Sequence, residues 1–309
     1  MKLIFCGTPR FAVPSLERLI GSGFDIALVV TNPDEPRGRG YGLEPPPVKT
    51  AALRSSLRVF QPAGLKDASV EREISSVRPD AIVVVAYGHI LPRWMIELPP
   101  LGCINLHASL LPAYRGAAPI QWAIINGETL TGVTAMKIDQ GLDTGDILMQ
   151  ETVPIASDDT AATLSPRLSD VGAGLIAETL RRLERNAIEA RPQDHQRATF
   201  APMLKKEDGH LDWSASAAEI ERRVRGLIPW PGAYTRFRGK SLGIWKARPA
   251  EVENCLGPGE LKLYGARLLA GCGGGALELL EVQLEGRRRM VARDFANGMR
   301  LRPGEGLGA

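Results

Sequence analysis

Residues 81–86 read Ala81-Ile82-Val83-Val84-Val85-Ala86, an apolar run with no polar alternation. A strand wet on one face alternates, so this run belongs to a strand covered on both faces, as in a parallel sheet flanked by helices. The sequence around it repeats the rhythm. Residues 2–6, 26–31, 59–61 and 103–107 read as further strands, and residues 15–21, 48–55 and 70–77 between them carry helical spacing. That alternation predicts an α/β domain with a doubly wound, mostly parallel, Rossmann-like sheet. Residues 132–139 and 147–155 add two strands. A helical stretch over 160–186 closes the region, with Pro166 marking a late start or a kink.

A different pattern follows. The stretch up to residue 204 is polar, weakly periodic and carries two prolines, which reads as a linker. The expected division is a first domain over 1–189, a linker over 190–204 and a second domain over 205–309, a size that suits 309 residues. In the second domain residues 217–226 form an amphipathic helix. Short runs at 233–237, 241–247, 259–263, 266–270, 276–282 and 289–292, with turn residues between them, predict a small antiparallel barrel.

Composition narrows the function. From Lys205 onward there are 18 Lys/Arg against 13 Asp/Glu, whereas the whole chain has a net charge of only +3. A basic C-terminal third suits an anionic partner. The four cysteines, Cys6, Cys103, Cys255 and Cys272, form no CxxC pair, so no zinc site is suggested and reduced thiols in the cytoplasm are expected. No window approaches the roughly 20 apolar residues of a membrane span.

The chemistry centres on Asn105-Leu106-His107. Strand side chains alternate, so Asn105 and His107 share a face, next to the crevice at strand ends where open α/β sheets bind ligands. An amide donor can stabilise an oxyanion and an imidazole can move a proton. Gly141-Leu142-Asp143-Thr144-Gly145-Asp146 is a polar loop between two strands. Its carboxylate Asp143 is placed to orient His107 or to take a proton itself. Arg115, in the loop entering the next helix, reads as a surface arginine. At Cys6-Gly7-Thr8-Pro9 the GxGxxG of a dinucleotide site is missing, and Pro9 removes a backbone donor, which makes a nicotinamide dehydrogenase a poor reading despite the fold. Residues 32–47 form a long Pro/Gly-rich loop bearing Arg37 and Arg39, of the length that often carries function.

Taken in order, Asn105-Leu106-His107, Ser109-Leu110-Leu111-Pro112 and Leu142-Asp143-Thr144-Gly145-Asp146 resemble the motifs of the formyltransferases that use 10-formyltetrahydrofolate. Phe5-Cys6-Gly7-Thr8-Pro9, Ala86-Tyr87-Gly88, the segment from Arg115 to Ile120, and Trp230-Pro231-Gly232 extend the resemblance over nearly the whole chain. The resemblance implies formyl transfer from folate, without a metal, to methionine carried on initiator tRNA, with Asn105, His107 and Asp143 catalytic. It implies a folate site containing Ser109, Leu110, Leu111 and Pro112, with Ile90, Leu91 and Leu142 lining the pterin pocket. It makes the second domain an OB-like barrel that contacts tRNA, with Arg37, Arg39 and Lys206 as tRNA-binding residues, in an enzyme expected to be monomeric and cytoplasmic. The chain departs from the family pattern at Tyr41 and Gly42, where lysines are usual, at Ala113 for arginine and at His89 for leucine.

Overall fold

The computed structural model describes residues 1–37, 42–252 and 256–308. In chain order its first elements are β1 (Lys2–Gly7), α1 (Val13–Gly21), β2 (Asp25–Val30), β3 (Glu35–Arg37), β4 (Gly42–Glu44), α2 (Pro47–Arg54), β5 (Val59–Phe60), α3 (Ala68–Ser76), β6 (Ala81–Val85), α4 (Arg93–Glu97), β7 (Cys103–His107), α5 (Pro119–Ile125), β8 (Leu130–Lys137), β9 (Ile147–Pro154) and α6 (Ala161–Glu184). Seven strands form one sheet in the order β5-β2-β1-β6-β7-β8-β9. The first five are parallel, and β8 and β9 run antiparallel. All five residues of β6 are buried, the burial its unbroken apolar run requires. On one face Ile4, Leu28, Val30, Ile82 and Val84 pack with Ile74 of α3 and Met95 of α4. Each such side chain stabilises the fold by about 1.5–3 kcal/mol.

The winding places the crevice. From β1 the chain steps outward through β2 to β5, then returns to β6 on the other side of β1. The strand order reverses between β1 and β6, the switch point at whose strand ends doubly wound sheets bind ligands. Helix α6 runs for 24 residues through Pro166, where the absent N–H costs it one helical bond.

By contact density the chain falls into two units. The first comprises Met1–Gly116, Leu130–Pro154 and Ser165–Ala201; the second comprises Ala117–Thr129, Ile155–Leu164 and Pro202–Ala309. The second unit contains α7 (Ala217–Gly226), β10 (Ala233–Phe237), β11 (Lys240–Ala250), β12 (Leu261–Tyr264), β13 (Arg267–Gly271), β14 (Ala276–Leu284), β15 (Met290–Val291) and α8 (Ala292–Met299). Helix α7 begins in a capping box: Ser216 Oγ accepts from the Glu219 N–H, and the Glu219 carboxylate accepts from the Ser216 N–H.

The strands of this unit form an antiparallel sheet, β10-β11-β14-β13-β12, with β15 on β14. Its two edge strands are joined through the C-terminal tail. Leu261 N–H donates to the Glu305 carbonyl (2.8 Å), Leu307 N–H to Gly259 (2.7 Å), and Gly308 N–H to Arg236 in β10 (2.9 Å). The tail thereby satisfies edge groups that would otherwise template association, and it gives the sheet a barrel-like closure. Residues 289–292 read as a strand alone, but pairing stops at Val291 and α8 follows. Ala292, Phe295 and Ala296 make one apolar helical face, with the Phe295 ring edge-on to Phe237 at 5.2 Å.

Candidate active site

His107 ends β7, which is parallel to β6 on one side and antiparallel to β8 on the other. Asn105 and His107, two residues apart, project from the same face. His107 is 6% exposed. Its Nε2 lies 2.9 Å from the Tyr114 carbonyl oxygen. A carbonyl can only accept, so Nε2 carries the hydrogen and the neutral ring keeps its lone pair on Nδ1. Nδ1 faces Asp143 Oδ2 at 3.7 Å, beyond hydrogen-bonding range. A neutral imidazole and an ionised carboxylate thus present two acceptors to each other across a space that one proton can bridge. When the imidazole is protonated, the same pair becomes an ion pair. Among the described residues none hydrogen-bonds the Asn105 side-chain amide, which is half-buried.

Asp143 is held from several directions. Its Oδ2 accepts from the Gly116 N–H at 2.9 Å. Its backbone has φ +52°, in the left-handed region that non-glycine residues rarely adopt. Asp139 organises the loop start, accepting from the Gly141 N–H (3.0 Å) and from Thr144 Oγ1 (2.7 and 2.8 Å). At Gly145 a Cβ would come within 1.9 Å of the Lys137 carbonyl oxygen, so only glycine fits. Gln193 Nε2 then donates to the carbonyls of Asp143 (2.9 Å) and Gly145 (2.7 Å).

Arg115 is not a surface arginine. It is 4% exposed, with Nε and Nη2 donating to Gln193 Oε1 at 3.2 and 2.7 Å, and with Nη2 3.1 Å from His195 Nδ1. The guanidinium thus orients the amide that holds the Asp143 loop. The 187–201 segment also buttresses the Tyr114 loop. Tyr114 N–H donates to Thr199 Oγ1 (2.8 Å), Arg115 N–H to the Thr199 carbonyl (2.8 Å), and Ala201 N–H to the Arg115 carbonyl (2.7 Å). Gly116 closes the same packing: its φ is +119°, and a Cβ there would meet the Ala201 carbonyl at 2.7 Å.

The remaining sequence-predicted residues fall into distinct settings. Ser109 is fully buried, its Oγ donating to the Ala113 carbonyl (2.6 Å) and its carbonyl accepting from Thr134 Oγ1 (2.6 Å). Leu111 packs with Met136 and Ile147, and its carbonyl accepts from Gln150 Nε2 (2.9 Å). The Leu111–Pro112 peptide is cis. Leu110 is half-buried above Gly132, where a Cβ would strike its side chain. Leu91 belongs to the sheet core, whereas Ile90 (95% exposed) and Leu142 (61%) present apolar surface to solvent. Lys206 is exposed and opens a short 3-10 turn in the second unit. Arg39 lies outside the described residues, and Arg37 is described only as the last backbone position of β3. Tyr114, Asp139, Gln193 and Thr199 escape a reading of the sequence alone. Gly116 lies within the recognised segment from Arg115 to Ile120 and Asp139 stands just before the Gly141–Asp146 loop, but Gln193 and Thr199 carry no local signal.

Residues 1–180 match the family model described as formyl transferase, and residues 203–300 match the model of the formyl transferase C-terminal domain. The chain belongs to the formyl transferase family. It is 59% identical to the methionyl-tRNA formyltransferase of Koribacter versatilis, over 100% of this chain and 99% of that relative. It is 51% identical to the methionyl-tRNA formyltransferase of Acidobacterium capsulatum, over 100% of both. A solved structure of an N-formyltransferase from Helicobacter canadensis, in complex with folinic acid and dTDP-3-aminofucose, superposes with a TM-score of 0.68 at 20% identity. That match covers 90% of this chain and 98% of the other, a likeness of fold. Among the described residues no helix of this formyl transferase is long and apolar enough to cross a membrane.

Proposed function

We propose that this formyl transferase moves the formyl group of 10-formyltetrahydrofolate to the α-amino group of methionine carried on initiator tRNA, in the cytoplasm. The observation that carries the reading is the end-to-end likeness to methionyl-tRNA formyltransferases at 51–59% identity, against 20% for the enzyme bound to an amino-sugar nucleotide.

The chemistry needs a neutral amine, a stabilised oxyanion and a proton delivered to the leaving nitrogen. In this reading the α-amine attacks the formyl carbon, and the carbonyl oxygen becomes an oxyanion that the Asn105 amide meets as a donor. The amine proton passes to His107 Nδ1, the ring nitrogen not occupied by Tyr114. Asp143, 3.7 Å away, stabilises the imidazolium while it exists. When the oxyanion collapses, the bond from the formyl carbon to the folate nitrogen breaks and His107 returns the proton to that nitrogen. One formyl group and one proton exchange places, and no net charge is left behind. Ile90 and Leu142 offer apolar surface to the flat pterin, and Ser109, Leu110, Leu111 and Pro112 hold the turn that borders it.

The acceptor is tested by offering the enzyme and 10-formyltetrahydrofolate to methionylated initiator tRNA, to methionylated elongator tRNA and to an amino-sugar nucleotide. Formyl transfer to the initiator species is expected. Formylation of the sugar nucleotide but not of the initiator tRNA overturns the proposal.

A further inference from the structure

The backbone around Arg115 has two edges, and the catalytic pair is held from one of them. Along that edge the Tyr114 carbonyl meets His107 Nε2 and the Gly116 N–H meets Asp143 Oδ2, each at 2.9 Å. In a planar trans peptide the N–H and the carbonyl point opposite ways, so the Arg115 N–H and carbonyl leave the other edge. There the Arg115 N–H donates to the Thr199 carbonyl (2.8 Å) and the Arg115 carbonyl accepts from the Ala201 N–H (2.7 Å). These bonds make a parallel bridge between Arg115 and Phe200. One edge holds the site, and residues 199–201 hold the other.

Tyr114 is the joint that sets the first edge. Its φ is +61°, in the left-handed region that a bulky residue seldom adopts. Such a conformation persists where the surrounding bonds over-determine it. They do so here, because φ and ψ turn the two peptides flanking Tyr114, and each peptide is tied at both ends. On the leading peptide the Ala113 carbonyl accepts from Ser109 Oγ (2.6 Å), and the Tyr114 N–H donates to Thr199 Oγ1 (2.8 Å). On the trailing peptide the Tyr114 carbonyl faces His107, and the Arg115 N–H reaches the Thr199 carbonyl. Thr199 thus supplies one bond to each peptide, the first from its side chain and the second from its backbone. Its own N–H donates to the Pro112 carbonyl (3.3 Å), which seats it on the same loop. The residue is exposed and outside the core, so packing does not account for it.

We propose that Thr199 is a positioning residue for formyl transfer: by clamping the two peptides around Tyr114 it aims the Tyr114 carbonyl at His107 Nε2 and keeps Nδ1 open for the proton of the attacking amine, a role that rests on the proton transfer assigned to His107 in the proposed function.

The test compares the full-length enzyme with Thr199→Val, Thr199→Ser and His107→Ala. Valine keeps the backbone bonds and the branched shape and removes only the hydroxyl, whereas serine keeps the hydroxyl. The measurements are kcat, KM for 10-formyltetrahydrofolate and for methionylated initiator tRNA, the urea midpoint, and the tautomer of neutral His107 from nitrogen–proton correlation spectra. Thr199→Val should lower kcat by about tenfold or more, the effect of a misplaced catalytic group, with both KM values near wild type. In the same variant a substantial fraction of neutral His107 should carry its hydrogen on Nδ1. Thr199→Ser should restore kcat and the wild-type tautomer. Wild-type kcat and tautomer in Thr199→Val overturn the proposal. So does a loss of rate that Thr199→Ser shares in full, or a lowered urea midpoint with the tautomer unchanged, because Thr199 then serves the fold alone. Wild-type kcat in His107→Ala defeats the proton-transfer reading instead, and the tautomer in Thr199→Val then decides by itself whether Thr199 sets the imidazole.

Discussion

The Tyr114 carbonyl, not Asp143, holds the imidazole of His107: Nε2 lies 2.9 Å from that oxygen, while Nδ1 stands 3.7 Å from the Asp143 carboxylate. The backbone thereby selects the tautomer, and a carboxylate-bound proton on Nδ1 is not the resting arrangement. Nitrogen–proton correlation spectra of the folded enzyme should show the neutral form of His107 with its hydrogen on Nε2. A neutral ring carrying its hydrogen on Nδ1 contradicts the assignment.

Asn105 keeps its amide free of other described partners on the face it shares with His107. Asn105→Ala should lower kcat about 10²–10³-fold, the usual effect of deleting one oxyanion donor. Folate and tRNA affinities should change little, because the interaction forms mainly in the transition state. Unimpaired turnover in this variant removes Asn105 from the chemistry.

Gln193 joins a buried arginine to the Asp143 loop by four hydrogen bonds. Gln193→Ala strips the Arg115 guanidinium of its main acceptor and frees two carbonyls. Urea unfolding should show a loss of about 1–3 kcal/mol, the cost of leaving buried polar groups unsatisfied. The rate of formyl transfer should fall as well, by about tenfold or more as Asp143 loses its position. Wild-type stability and rate together exclude the relay from Arg115 through Gln193 to Asp143.

How far these features are legible in the sequence depends on how local their causes are. β7 and α7 can be read to the residue, the first from its place in the alternation of strand and helix patterns and the second from its amphipathic spacing. α8 cannot. It starts without a side-chain cap at Val291 and stops at Arg300 in a left-handed conformation (φ +48°), so neither end carries the usual punctuation. Arg115 reads as exposed because an arginine is seldom buried unpaired. Its partner lies 78 residues onward, in a segment that reads as a linker. The hold on His107 is invisible for another reason: it is a backbone carbonyl, and every residue has one.

Burial pushes the Cys103 thiol from its ordinary 9.0 up to about 12, and it pushes Cys6 up as well. The folded chain therefore keeps these protons where the unfolded chain releases them. Their contribution to stability is fully present below about pH 9 and is lost as pH rises toward the folded value, by roughly 1.4 kcal/mol per unit for each thiol. Urea unfolding of the wild type and of Cys103→Ala between about pH 9 and 10.5 should show a shallower decline in the variant. Equal slopes in the two proteins contradict the assignment.

The most direct test of the proposed chemistry is the single-turnover rate of Asp143→Asn with 10-formyltetrahydrofolate and methionylated initiator tRNA, both saturating. The substitution keeps an acceptor for the Gly116 N–H but removes the charge facing His107 Nδ1. If the carboxylate supports the proton carried by that nitrogen, the rate should fall by about 10²-fold or more while tRNA affinity holds. Transfer at the wild-type rate contradicts the support that Asp143 gives to the proton on His107.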